Sequence, residues 1–192
     1  MKKNRGGIMS TEKTKQKFLN SFLELMADRP VNKITVKDIS NNCGLTPQTF
    51  YNHFADKYDL ILWAYRVRVD ELKDRYEKGE LEWRQLLKEY LRGFKENDKE
   101  IVNIMKNTHG SDSYYVGTSA HLLKCIKESL KKRLRVEELD AKTDMLLNTY
   151  IAGMINVIGL WLEQRDDLDE KDMAEILDLA MPEYLREIYL IR

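Results

Sequence analysis

The sequence predicts an all-α fold, with a compact N-terminal head of three helices containing a helix-turn-helix and a larger C-terminal helical bundle. Three observations carry this. Apolar residues recur at three- and four-residue spacing along nearly the whole chain, with no alternating strand pattern. Only three of the 192 residues are proline, so long helices go uninterrupted. Charge is also unevenly distributed: residues 1–57 carry +5 and residues 58–192 carry −5, a net of zero. A basic head on an acidic body fits a polyanion-binding module joined to something else.

The elements follow in order. Residues 1–10, MKKNRGGIMS, read as a flexible basic tail. Phe18, Phe22, Leu25 and Met26 mark a first amphipathic helix over 11–28, ending before Pro30. Thr35 can cap a second, over 36–43, that turns Val36 and Ile39 inward and stops at Gly44. Thr46 caps a third, with Pro47 at its first position, where the missing N–H is harmless. Asp56 caps a fourth, running to about Glu77 before Lys78-Gly79. The fifth covers 81–94, and a sixth opens at Asp98 and runs to about Lys106. The glycine- and serine-containing stretch 107–117 reads as a loop. Helices over 119–135, 141–164 and 169–188, the last interrupted at Pro182, complete roughly nine. The boundaries fall at 1–10 for the tail, 11–57 for the head and 58–192 for the body.

Hydrophobic residues make up 43% of the chain and charged residues 33%, which excludes a disordered or fibrous protein. Two cysteines, Cys43 and Cys125, cannot form a disulfide framework, so a cytoplasmic, reducing setting is expected. Residues 145–162 form an 18-residue run without a formal charge, the shortest length at which a membrane span is considered. Asn148, Thr149, Asn156, Gly153, Gly159 and the charges on both flanks favour a buried helix, in the body's centre or in a subunit interface. No membrane partner is expected. Nor does any P-loop, GxSxG, GxGxxG or HExxH pattern give enzyme chemistry an anchor, and no cofactor is implied. His121 and Cys125 are four apart on one helix, with His109 in the preceding loop. Two ligands with helix-face spacing fall short of the three or four a zinc site needs, so a packed histidine and thiol are expected and no metal site.

The informative stretch is 35–57, TVKDISNNCGLTPQTFYNHFADK. Two short helices joined at Gly44-Leu45 make a helix-turn-helix, in which the first braces the second so that it can enter a major groove. Ile39, Leu45 and Phe50 lock the pair, leaving Thr46, Pro47, Gln48, Thr49, Tyr51, Asn52 and His53 on or near the outward face. An ordinary solvated helix carries Glu and Lys there instead of so many neutral hydrogen-bonding groups.

With I-T-V-K-D-I, then C-G-L-T-P-Q-T-F-Y-N-H-F and D-K-Y-D-L in this order, residues 11–63 resemble the DNA-binding head of the TetR family of bacterial regulators. Within that family, the Q-T-F-Y-N-H-F version is similar to heads of dihydroxyacetone kinase operon regulators. The resemblance implies a homodimer placing two heads in successive major grooves of an inverted repeat. It implies base contacts from Lys37, Pro47, Gln48 and Thr49, with Gln48 able to pair with adenine. Phosphate contacts would come from Thr35, Thr46, Tyr51, His53 and Lys57, and from Asn52, which stands where an aromatic is common. Gln48 replaces a usual Gly or Ala, and Phe50 a usual Leu.

In the family the last two long helices of each subunit form a four-helix dimer bundle. That places Met145, Tyr150, Met154, Val157 and Trp161, with Met173, Ile176, Leu177 and Ala180, in the interface. The resemblance further implies control by a small-molecule or protein effector, with repression the commoner outcome; no effector residues are readable. Two other classes compete: a helical protein-interaction adaptor with weak DNA binding, and an enzyme with its pocket in the body.

Overall fold

The computed structural model describes residues 5–110, 114–164 and 168–190. Its helices are α1 (Arg5–Met26), α2 (Val36–Asn42), α3 (Pro47–Tyr51), α4 (Lys57–Glu77), α5 (Trp83–Lys95), α6 (Asp98–Asn107), α7 (Tyr114–Leu134), α8 (Ala141–Gln164), α9 (Glu170–Leu179) and α10 (Glu183–Leu190), with one 3-10 turn at Val31–Lys33. No strand occurs among the described residues.

The head is organised around Phe18, Phe22 and Phe50, all fully buried, with Val31, Ile34 and Ile39. Phe50 of α3 sits edge-on to Phe18 of α1 at 5.1 Å, and Phe54 closes over it at 5.5 Å. Ser21 of α1 donates to the Ile39 carbonyl at 2.7 Å, and Asn42 reaches Glu24 at 2.9 Å, pinning α2 to α1 by polar bonds as well as by apolar burial.

The body packs α5 on α9, α7 on α8 and α4 on α7. Asp178 of α9 is nearly sealed, its side chain 4% exposed. It accepts from Trp83 and Arg84 of α5 and from Arg186 of α10, each at 2.9 Å. A buried carboxylate tolerates such a site only with paired donors. Burial raises the Asp178 pKa, but the bonds from Arg186, Arg84 and Trp83 outweigh it and hold the carboxyl below its ordinary value.

The structure corrects two expectations. The basic tail was expected to be flexible through residue 10, but α1 already begins at Arg5. Nothing between Gly7 and Thr11 stops a helix, and each added residue extends it with a further backbone bond. Residues 1–4 lie outside the described residues. The loop expected over 107–117 is shorter, because α7 starts at Tyr114; residues 111–113 are outside the described residues. Gly117, a loop signal in the sequence, is a packing glycine here: a Cβ on it would lie 2.5 Å from Leu62 of α4. The fourth helix begins at Lys57, capped by Asp56 as expected, and runs unbroken past the 57/58 boundary.

Candidate nucleic-acid interface

The site is built by two caps and a turn. Thr35 and Asp38 form a reciprocal capping box at the start of α2: the Thr35 hydroxyl donates to the Asp38 carboxylate at 2.7 Å, the Thr35 N–H does so at 2.8 Å, and the Asp38 N–H donates back at 3.1 Å. Those bonds, the hydroxyl's first, hold the Asp38 carboxyl below its ordinary value. Gly44, at φ +67°, reverses the chain in the left-handed region that disfavours side chains. The Leu45 N–H then returns to the Ser40 carbonyl at 2.9 Å. Thr46 caps α3 by accepting from the Thr49 N–H at 3.1 Å, with Pro47 at the first helical position.

The outward residues divide by exposure. Lys37, Thr46, Gln48, Tyr51 and Asn52 are exposed, while Pro47, Thr49, His53 and Lys57 are half-buried. Tyr51 stands out with 56% of its surface exposed, its ring held edge-on by Phe50 at 5.8 Å. Gln48 Nε2 donates to Asn52 Oδ1 at 3.2 Å, one turn further on, so its amide is oriented before any ligand arrives. Thr46 and Thr49 share one hydroxyl bond at 2.9 Å. Only one of their two hydroxyl protons is used by that bond.

Two residues read as phosphate contacts are already occupied. Both donors of Thr35 go to Asp38, so its hydroxyl reaches a phosphate only by leaving the capping box. Lys57 Nζ donates to the Val31 carbonyl at 2.8 Å and to the Ile34 carbonyl at 2.7 Å, bracing the 3-10 turn against α4. An ammonium has three donors, so one remains. Burial lowers the Lys57 pKa, with Asp56 and Asp38 partly offsetting it.

Sequence reasoning missed Asn103 of α6. Its Nδ2 donates to the Met26 carbonyl at 3.0 Å and the Arg29 carbonyl at 2.8 Å, and its Oδ1 accepts from the Val31 N–H at 2.9 Å. One body side chain thus ties the end of α1 to the turn that Lys57 braces. The sequence signal, a lone Asn amid apolar residues in the sixth helix, was present but pointed to no partner. An open cleft of about 300 Å³ lies among α1, α4, α5 and α6, lined mainly by apolar side chains with Arg68, Glu96, Asn97 and Glu100.

The residues expected at the dimer interface divide in two. Met145, Val157, Ile176 and Ala180 are exposed, whereas Tyr150, Met154, Trp161, Met173 and Leu177 are buried within the protomer. The Tyr150 hydroxyl donates to the Leu177 carbonyl at 2.7 Å, and Trp161 Nε1 to the Leu168 carbonyl at 2.9 Å. These five hold α8 and α9 in their own body. The outward-facing residues include Met145, Thr149, Ala152, Val157 and Leu160 on α8, with Ile176, Leu179 and Ala180 on α9. Ala141–Glu163 is long and apolar enough to cross a membrane by length and composition, but half of its most apolar window is buried inside the protomer.

The described residues thus set a helix-turn-helix with a polar, preorganised outer face on a helical body. Residues 19–63 match the family model described as bacterial regulatory proteins, tetR family. Over 68 residues the chain is 35% identical to an uncharacterised HTH-type transcriptional regulator, YwcC, of Bacillus subtilis strain 168, a stretch covering 35% of this chain and 30% of that protein. Similar solved structures extend over nearly the whole chain. A TetR transcriptional regulator from Streptococcus agalactiae 2603V superposes with a TM-score of 0.62 at 20% identity, covering 92% of this chain and 98% of that one. The dihydroxyacetone kinase operon activator DhaS gives 0.58 at 18% identity, covering 93% and 98%. Residues 19–63 thus match the head model of that family, and the fold of the described residues is similar to that of these solved regulators.

Proposed function

We propose that this protein is a cytoplasmic, sequence-specific DNA-binding transcriptional regulator that acts as a homodimer on an inverted repeat. The observation that carries this reading is the outer face of the helix-turn-helix, where exposed Lys37, Gln48, Tyr51 and Asn52 stand on a frame fixed by Phe50 and two capped helices. In this reading Lys37, Pro47, Gln48 and Thr49 meet base edges, and Thr46, Tyr51, Asn52, His53 and the remaining donor of Lys57 meet phosphates. Thr35 supports α2 from inside its capping box.

The homodimer rests on the outward strip of α8 and α9, where Met145 is 66% exposed, Leu160 48% and Leu179 71%. Burying such a strip against its symmetry mate stabilises association by about 25 cal/mol per Å² of apolar area, before association costs. The cleft among α1, α4, α5 and α6 supports control by a small, largely apolar effector that shifts the head relative to the body. Repression by occupation of the operator is the proposed outcome. A reporter switched on by the protein would instead place it with activators.

Selection of binding sites from random double-stranded DNA at near-physiological salt tests the whole reading. Recovery of an inverted repeat with fixed spacing is expected. Binding with no recoverable motif, disappearing with salt, would overturn it in favour of a protein-interaction adaptor with a basic surface.

A further inference from the structure

His121 and Cys125, one turn apart on α7, face Asp70 of α4. His121 Nε2 lies 3.1 Å from Asp70 Oδ1, Cys125 Sγ lies 3.5 Å from the same oxygen, and Sγ and Nε2 are 3.4 Å apart. The third ligand that the sequence lacked therefore comes from a different helix, 51 residues before His121, and not from His109 in the preceding loop.

The triangle has the dimensions of a metal site. Zinc held at about 2.0 Å from oxygen, 2.05 Å from nitrogen and 2.3 Å from sulfur in tetrahedral geometry sets edges of about 3.3 Å for N···O and about 3.5 Å for both S···O and S···N. The observed edges lie within about 0.2 Å of those values, and a point near the triangle's centre is about 1.9 Å from each atom. The Sγ···Nε2 edge follows from the one-turn spacing of His121 and Cys125 on α7; the two edges to Asp70 bring a carboxylate of α4 to the same point.

The donor set also selects the ion. A thiolate, an imidazole and a carboxylate together suit zinc and its close relatives, and are wrong for magnesium or calcium. Entry is open, because the Asp70 side chain is 59% exposed while that of His121 is 17% exposed and Cys125 is buried. Among the described residues this is the group of three such side chains placed to share an ion. We propose that Asp70, His121 and Cys125 form a three-ligand site for zinc or a zinc-like divalent cation, with water in the fourth position, clamping α4 to α7. Binding releases the Cys125 sulfhydryl proton to solvent, and the metal keeps its oxidation state. The site requires no DNA and stands or falls apart from the regulatory reading.

The test is titration of the reduced, metal-free full chain with Co²⁺, followed by Zn²⁺. The expected result is one equivalent per chain, with a thiolate-to-cobalt charge-transfer band and the visible bands of four-coordinate cobalt, both displaced by zinc. Cys125→Ser removes the charge-transfer band and Cys43→Ser leaves it. Asp70→Asn, at an exposed position, preserves the circular dichroism spectrum. It weakens cobalt and zinc binding on the order of 100-fold or more, since even groups outside the ligand shell are worth 10- to 100-fold. Zinc raises the thermal midpoint of the wild type and leaves that of Asp70→Asn unchanged. Absence of a thiolate band in the wild type, a band that follows Cys43, or unchanged affinity in Asp70→Asn would each overturn the site.

Discussion

Replacing Asn103 tests how the body grips the head. Asn103→Ala removes the three hydrogen bonds of 2.8–3.0 Å that reach the head, two to the Met26 and Arg29 carbonyls and one from the Val31 N–H, besides the one its Oδ1 accepts from Asn107 within α6 at 3.2 Å. At about 1 kcal/mol net for each bond, the expected loss is about 3 kcal/mol, falling towards about 1.5 where water replaces the amide at this half-buried site. Asn103→Asp separates geometry from chemistry. It retains an acceptor for Val31 but sets a carboxylate oxygen against two carbonyl oxygens, so its folded-state pKa rises above the unfolded value of about 3.9. The folded variant then binds the proton more tightly than the unfolded chain. Its stability is therefore greatest below about pH 4 and falls as pH rises through the folded pKa. Urea unfolding of both variants across that range, with hydrogen exchange at the Val31 amide, reads the effect. An opening made easier by 3 kcal/mol speeds that amide's exchange by about 100-fold. A loss under about 0.5 kcal/mol, with Val31 exchange unchanged, would refute the claim that Asn103 ties α6 to the head.

Four further outcomes follow from the same geometry. Lys57→Ala leaves the Val31 and Ile34 carbonyls without their donor, and is expected to lower stability by about 1–3 kcal/mol; denaturant midpoints check this, and an unchanged midpoint would mean the lysine is a phosphate contact alone. Gln48→Ala is expected to relax preference at one position per half-site by about 1–3 kcal/mol, read by binding to singly substituted operators. Leu179→Glu adds a charge where the residue is 71% exposed, and is expected to leave the fold intact while sedimentation shifts to monomer. The depressed Asp178 pKa makes its paired form a source of stability that is present above about pH 4 and lost as pH falls through the folded value. Asp178→Asn should flatten the acid limb of the stability curve.

The helices and caps of the head were legible because local chemistry sets them. Thr35, Thr46 and Asp56 each cap the helix that follows them, as a hydroxyl or carboxylate before an apolar run does. Which apolar residues of α8 and α9 are covered by their own protomer was not legible, because helical period identifies an apolar stripe without saying which neighbour covers it. On α8 the run is apolar nearly all round, so Met154 and Val157 look alike in sequence while one is buried and the other exposed. Asn103, the occupied ammonium of Lys57 and the approach of Asp70 to His121 depend on contacts between residues 23 to 77 positions apart. No local pattern encodes such pairs.

Because α4 runs without a break from Lys57 in the head to Glu77 in the body, under the proposed regulatory function it acts as a lever arm. At about 1.5 Å per residue, the reach from Asp70 to Lys57 is about 20 Å. A tilt of about 10° about the Asp70 end carries the other end about 3.4 Å, the rise of one base pair along a DNA strand. In a symmetric pair the two arms move together, and the spacing between heads changes by up to twice that amount. A pivot adjustment too small to disturb the packing of the body would therefore move the two heads out of register with an operator of fixed length.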